Sequence, residues 1–524
     1  MTAAQSSCLI RLDDLVRCGQ PDRPAVTFRD ETLTYAELAD QVARAAAGLR
    51  GLGLRRGERV VVYLEKRLET VVAFLAVSAA GGVFVPVNPV FRPAQVGHVL
   101  ADCAARVLIT SPERHHAVLG ELDRLSELRH VVLVGGQDED TAPSWESLCT
   151  AEPLADGADS ADGVIDVDVA AILYTSGSTG KPKGVVLSHR NMLAGAASVA
   201  GYLRHTSDDT VLSVLPLSFD AGFSQLSTAL IAGAHVVLVN YLMPREVVRL
   251  VARHRVTALT CVPPLWLQLV AAKWPPEARA GLRYFANTGG HLPQHLLTRL
   301  RETFPNAAPY LMYGLTEAFR STYLDPAEVD RRPGSIGKAI PNAEVLVVRP
   351  DGTVAAPGEH GEIVHRGALV ALGYWNDPAR TAQRFRPYPP GDGPVRAEPA
   401  VWSGDVAYRD EEGFLYFVGR TDDMIKTSGY RVSPTEVEEV AYATGLVAEA
   451  VAIGVPDERL GQEVVLVVTA PDGGETCDTG TLTKALAEEL PAYMVPKRIL
   501  VRDELPRSGN GKFDRGEVRR SVLG

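Results

Sequence analysis

Between Thr34 and Tyr313 the chain alternates between a helical and an extended apolar period, and this restricts its fold more than any other feature. Thr34-Tyr-Ala-Glu37 is a capping-box pattern opening a helix to about Leu52. Arg59 to Tyr63 is a short β-rich run, followed by an apolar helix from Leu68 to about Ala80 and a second run, Val83 to Val87. The unit repeats as a helix around Ala94 to Ala101 and strands at 106–110 and 130–134. Further on, Asn191 is placed to cap a helix through Tyr202. Strands at 211–215, 235–239, 256–261, 282–286 and 309–313 then alternate with helices at 247–254, 265–272 and 293–303. Such alternation predicts an α/β fold with largely parallel sheet covered on both faces.

From Gly334 the pattern changes to short strands with Gly/Pro turns, 343–349 and 362–365, which predicts a small β-rich subdomain. Past Arg420, helices at 434–443 and 481–490 mix with strands at 448–453, 464–469 and 498–502, as in a small α+β domain. At 524 residues the chain is too long for one core. The expected division is 1–420 and 421–524, with αβ-layered subdomains in the first part.

The net charge of −11, with no long Lys/Arg run, argues against nucleic acid as a partner. Six scattered cysteines without a C-x-x-C pair speak against a zinc site and for reduced thiols. The first residues lack a signal-peptide pattern, and no apolar run reaches the ~18 residues of a membrane helix. A cytoplasmic protein without a membrane partner is expected.

Residues 174–191 concentrate the chemistry. Thr175, Ser176, Ser178 and Thr179 supply hydroxyls, Gly177, Gly180 and Gly184 permit close backbone approach, and Lys181 and Lys183 add positive charge. Apolar runs at 169–174 and 185–187 flank this loop, which suits a polyphosphate. It is not a Walker A loop, because Gly177 and Gly180 stand two apart and Pro182 follows Lys181.

Four further stretches follow in order: Tyr313-Gly-Leu-Thr-Glu317, Ser403-Gly-Asp405, Gly419-Arg-Thr-Asp-Asp-Met-Ile-Lys-Thr-Ser-Gly429 and Asn510-Gly-Lys-Phe-Asp-Arg515. With the loop, this set resembles the superfamily of adenylate-forming enzymes over nearly the whole chain: acyl-CoA synthetases, adenylation domains of nonribosomal peptide synthetases and firefly luciferase. Runs such as Leu215-Pro-Leu-Ser-Phe-Asp-Ala-Gly-Phe-Ser-Gln-Leu226 and Tyr313-Gly-Leu-Thr-Glu-Ala-Phe-Arg-Ser-Thr-Tyr323 look like AMP-forming ligases of exosortase A-associated gene sets and like stand-alone amino-acid adenylating enzymes.

The resemblance implies two steps. A carboxylate attacks the α-phosphate of ATP, giving an acyl-adenylate and pyrophosphate; a thiol then attacks the acyl carbon and releases AMP. Residues 175–180 with Lys183 would hold the pyrophosphate side. Thr316 would contact the α-phosphate and Glu317 would ligate Mg2+, a hard cation suited to carboxylate oxygen. Gly289, Gly290, Tyr313 and Gly314 would surround the adenine, with Asp405 and Arg420 at the ribose. Lys512 would bridge carboxylate and phosphate during adenylation. Asp422 matches a hinge about which the small domain turns, and Gly429 a thiol channel.

The acid pocket is read from Asp220, Ser224, Asn287, Met312 and Arg320. Fatty acyl-CoA synthetases of this superfamily usually carry His after an aromatic residue, where this chain has Phe219-Asp220. A carboxylate facing an apolar pocket is costly unless a cation meets it, so Asp220 points to an amino-acid substrate. The bland alternative is an Asp hydrogen-bonded at a helix start. Arg320 either points inward, to receive a second acidic group, or outward as a surface charge. The chain stops soon after the lysine motif, so the expected acceptor is CoA or the phosphopantetheine of a separate acyl or peptidyl carrier protein. The runner-up is an acyl-CoA synthetase for a non-amino acid; a non-catalytic nucleotide-binding module stands behind it.

Overall fold

The computed structural model describes residues 9–136, 143–153, 163–175, 182–388, 398–420, 423–427, 430–457, 460–471, 477–490, 492–508 and 511–523. Two large sheets form the first part. In the seven-stranded one the order is Gly373–Tyr374, Lys183–Ser188, Val169–Thr175, Val83–Pro86, Arg59–Tyr63, Val107–Thr110, His130–Leu133. The last five are parallel, while Val169–Thr175 and Lys183–Ser188 form an antiparallel hairpin pairing Thr175 with Lys183. Thr175 and Lys183, which bound the hydroxyl-rich stretch in the sequence, therefore face each other across that hairpin.

In the second sheet Thr210–Ser213, Ala258–Cys261, Tyr284–Asn287 and Ala308–Leu315 run parallel, so Ser213, Cys261 and Asn287 lie at the carboxyl ends of neighbouring strands. That edge is where ligands bind open α/β sheets. Phe319–Leu324 folds back antiparallel, and Ser335–Ala339 joins it to the β-rich strands Leu415–Arg420, Pro399–Arg409, Gly361–Gly367 and Ala343–Val348. The β-rich part thus extends the second sheet, and its backbone satisfies what would otherwise be an open edge. Gly337 makes the crossing possible: its φ is +83°, and a Cβ there would lie 1.8 Å from the Tyr323 carbonyl oxygen.

One core joins both sheets. Helix Leu68–Ala79 buries every residue but Glu69, and Phe74, Phe84 and Phe223 bring its ring, a strand of the first sheet and helix Asp220–Ile231 together, with centroids 5.0 and 5.4 Å apart along that chain. Thr34 caps helix Tyr35–Gly51, with Glu37 answering as the capping box requires. Asn191 is not the cap expected of it. Helix His189–Tyr202 begins three residues earlier on Ser188, and Asn191 sits at the third position, accepting from the Ser188 N–H.

Past Arg420 a smaller α+β unit has its own core, with Val437, Leu466, Leu482 and Leu486 buried together. Strands Glu449–Asp457 and Gly461–Thr469 form its antiparallel centre, and helices Pro434–Ala443 and Thr479–Glu489 cover one face. Strands Ile425–Thr427 and Tyr430–Val432 are too short to show a period in the sequence, and helix Arg515–Leu523, with Val518 its single buried residue, leaves little apolar pattern there. Among the described residues no helix is long and apolar enough to cross a membrane.

Candidate active site

Lys183, the carboxyl edge of the second sheet and Lys512 of the small domain bring the charged candidates together. Lys183, the first residue of its strand, places Nζ 2.9 Å from Glu317 Oε1 and 2.8 Å from the Tyr374 hydroxyl, which itself donates to Glu317 Oε1 at 2.6 Å. Burial pushes the Glu317 carboxyl up in pKa, but the Lys183 charge and the Tyr374 hydroxyl outweigh it and leave it below the usual carboxylate value. It remains ionised although only 7 % exposed. Tyr374 was not foreseen. It arrives from strand Gly373–Tyr374, which pairs with Lys183–Ser188, and only the preceding glycine hinted at a special backbone.

Asp220 and Arg320 meet directly. Arg320 Nη1 lies 2.8 Å from Asp220 Oδ2, and the Thr316 hydroxyl donates to Asp220 Oδ1 at 3.3 Å. Arg320 therefore points inward, yet it faces a carboxylate of its own chain. An amino-acid substrate would require Asp220 to await an external cation, and Arg320 already provides one. Its approach depends on Phe319, a non-glycine residue at φ +58° and ψ −111°, a conformation that costs about 1–3 kcal/mol. Packing holds it there: a Cβ at Gly195 would stand 2.6 Å from the Phe319 ring.

Further along, the Tyr313 hydroxyl donates to Asp405 Oδ2 at 2.5 Å, and Arg420 Nη1 lies 3.4 Å from Asp405 Oδ1. Burial raises the Asp405 pKa, opposed by Arg420 and by the Tyr313 hydroxyl. Gly289 has φ +76°, and a Cβ on it would fall 3.2 Å from Lys512 Cε. The lysine of the small domain thus lies against the glycine of the large one. Lys512 keeps surface open to the cleft while protein encloses it, and the enclosure lowers its ammonium pKa. Asp220 and Asp405 oppose that shift, while Arg320 and Arg420 add to it, so Lys512 sits between the two pairs.

Of the other candidates, Ser224, Met312 and Arg320 line one small cavity. Asn287 is buried, donates to the Gly290 carbonyl at 2.9 Å and keeps Oδ1 without a partner. Gly314 has Phe319 and Arg320 backbone within 3 Å of where a Cβ would be. Gly290 lies on Pro263. Ser176, Gly177, Ser178, Thr179, Gly180, Asp422 and Gly429 fall outside the described residues.

Among the described residues, Thr175 Oγ1, Ser218 Oγ, Asn287 Oδ1, Arg320 Nε and Asp405 Oδ1 are buried without a hydrogen bond, Asp405 Oδ1 having only the longer ion pair to Arg420. Native proteins rarely leave such atoms unsatisfied, so these offer a polar ligand donors and acceptors that the chain does not use. Ser218, two residues before Asp220, was passed over in the sequence.

The layered α/β part, the small α+β unit and the side chains they bring together are those of an adenylate-forming ligase. The chain belongs to the family of AMP-binding enzymes: the family model matches residues 17–375, and that of the AMP-binding enzyme C-terminal domain matches 436–512. It is similar to a feruloyl-CoA synthase from an Amycolatopsis species, 35% identical over 95% of this chain and 96% of that one. Among solved structures it resembles ATP-bound MatB from Rhodopseudomonas palustris (TM-score 0.86, 27% identity, 98% of each chain covered). It likewise resembles the anthranilate CoA ligase AuaEII in complex with anthranoyl-AMP (TM-score 0.89, 25% identity, 99% of each chain). The protein is an AMP-forming acid–thiol ligase acting on a carboxylic acid.

Proposed function

We propose that the acid activated by this enzyme carries no amino group and that the acyl group passes to the thiol of CoA. The observation that carries this reading is the Arg320–Asp220 ion pair, which occupies the carboxylate an α-ammonium group would need. The feruloyl-CoA synthase and anthranilate CoA ligase relatives support CoA as acceptor.

In this reading residues 175–180 and Lys183 receive the β- and γ-phosphates. Glu317 fits Mg2+ as the one carboxylate that such an ion takes beside phosphate oxygens and water. When bound, the ion would neutralise phosphate charge. Lys183 is already paired with Glu317, so phosphate and metal would take over contacts the two residues now make with each other. Thr316 orients toward the reacting centre; Tyr313, Gly289, Gly290 and Gly314 shape the adenine slot, and Asp405 with Arg420 meets the ribose. Lys512 holds the carboxylate and the α-phosphate together, two anions that repel unless a cation stands between them. Asp422 is the hinge and Gly429 the thiol channel for the second step.

The test is an ATP–pyrophosphate exchange panel over plain and amino acids, followed by mass spectrometry with CoA and with carrier proteins. Exchange with plain acids and an acyl-CoA product are expected. Exchange confined to amino acids, or transfer only to a carrier phosphopantetheine, would overturn this reading.

A further inference from the structure

Helix Pro434–Ala443 of the small domain turns two faces to different partners. Val437, Glu438 and Ala441 are buried on its own domain, where Glu438 holds Arg515 and the Ala452 N–H. Glu436, Glu439 and Tyr442, spaced three apart, share another face, and each meets an imidazole of the large domain. His291 Nε2 lies 2.7 Å from Glu439 Oε1, and the centroid of the His295 ring lies 5.4 Å from that of Tyr442. The Tyr442 ring is fixed, because its hydroxyl accepts from the Ala450 N–H at 3.0 Å and donates to the Ala450 carbonyl at 3.3 Å. Enclosure lowers the His295 pKa; Glu439 opposes that shift and Arg299 adds to it, so Glu439 faces both histidines. In the first turn, His360 acts on Glu436, opposing the upward pull of the surrounding protein on its carboxyl pKa. The His360 ring is itself stacked on Tyr408, with centroids 5.5 Å apart.

This contact adjoins the place where the two domains bring Lys512 in. His291 follows Gly289 by two residues, and Gly289 is the glycine whose Cβ would fall 3.2 Å from Lys512 Cε. Whatever holds the helix onto these histidines therefore also holds Lys512 against Gly289. The contacts are weak ones. The His291 and Glu439 side chains keep 29% and 31% of their surface exposed, and pairs so placed add little stability. A large apolar seal would fix the small domain permanently, whereas a few weak polar contacts hold it for part of the time and release it.

Resting on the ligase reading above, in which the small domain turns between half-reactions, we infer that His291, His295 and His360 are positioning residues. They grip the Glu436–Glu439–Tyr442 face of the helix and hold Lys512 in its working place for adenylation. They act through Lys512 and serve the first step only, because the second requires the helix to leave them.

The test measures both half-reactions in the full-length enzyme: acid-dependent ATP–pyrophosphate exchange, and acyl-CoA formation from supplied acyl-adenylate. His291→Ala and Glu439→Ala should each lower exchange about two- to fivefold, the scale of a partly exposed pair. Because both break one contact, the double variant should be no worse than either alone. His291→Gln, which keeps a side-chain N–H, should lose less than His291→Ala. The triple variant His291→Ala/His295→Ala/His360→Ala should lose about tenfold or more. Acyl-CoA formation should stay within about twofold in all of them, or rise. Hydrogen exchange followed by mass spectrometry gives a readout apart from activity. Amides of residues 288–297 and 434–443 should exchange faster in the triple variant, while those of strand Gly461–Thr469 stay as they were and show that the small domain is still folded. A parallel fall of both half-reactions, undiminished exchange activity in the triple variant, additive losses in the double variant, or unchanged amide protection overturns the inference. If the unaltered enzyme supports exchange with no acid, the ligase reading fails, while amide protection still decides whether the histidines grip the helix.

Discussion

Lys183 Nζ lies 2.9 Å from Glu317 Oε1, joining two strand ends across 134 residues of chain. The Tyr374 hydroxyl touches both groups. Each partner neutralises the other in a place where neither is well hydrated, and incoming phosphate charge would draw Lys183 away and free Glu317 for a cation.

Glu317→Gln keeps the side-chain shape and removes the charge. It should lower acid-dependent ATP–pyrophosphate exchange on the order of 10²–10³-fold, the effect of losing one electrostatic stabiliser. Tyr374→Phe leaves the ion pair and should cost only about tenfold. Steady-state exchange at saturating ATP measures both; an undiminished Glu317→Gln rate would remove Glu317 from the chemistry.

Lys512→Ala should abolish adenylate formation, by about 10²-fold or more, and spare thioester formation from supplied acyl-adenylate. Lys512 must be protonated to bridge two anions, and its pKa is lowered by enclosure. The alkaline limb of kcat/KM for exchange should therefore fall below the ordinary lysine range near ~10.4. Lys512→Arg should move that limb upward. Equal loss of both half-reactions in Lys512→Ala would contradict the assigned step.

Lys66 is a buried lysine whose ammonium donates to the Ser213 carbonyl at 2.7 Å and the Leu215 carbonyl at 3.1 Å, anchoring the chain that leads to Asp220. Burial lowers its pKa to about 7. Between that value and the unfolded value near ~10.4, the unfolded chain binds the proton and the folded one does not. Stability should therefore rise with pH over this window, by up to about 1.4 kcal/mol per pH unit from this group. Below pH 7 the group adds no slope. Urea denaturation from pH 7 to 9 should show the rise, and Lys66→Met should flatten it.

Gly222 opens helix Asp220–Ile231 against the chain before it, where a Cβ would lie 1.9 Å from the Pro216 carbonyl oxygen. Gly222→Ala must displace backbone, so it should destabilise by about 1–3 kcal/mol and tilt Asp220 away from Arg320. Denaturant midpoint and exchange rate should fall together. A stable variant with full exchange would show that the loop has slack.

The fold was legible where neighbours in sequence decide it. Thr34 and Glu37 cap a helix through contacts three residues apart, and the parallel αβ units follow from short local runs of apolar residues. Asn191 was misplaced because Ser188, Asn191 and the helix start offer two local cap patterns, and burial of the Ser188 hydroxyl selects one. The β-rich segment was recognised, but not that it would continue the second sheet, which depends on Gly337 meeting Tyr323.

By itself the sequence determined the layered α/β architecture, the small α+β unit and the stretches that identify an adenylate-forming ligase, because periodicity and motif spacing are local properties. What Asp220 faces was decided only in three dimensions. Its partner, Arg320, lies 100 residues away and arrives because Phe319 is held at positive φ and strand Phe319–Leu324 shifts register at Tyr313 and Gly314. Whether a buried charge waits for a ligand or is answered by its own chain depends on a few ångströms of backbone placement. Packing sets that placement, and no pattern along the chain records it.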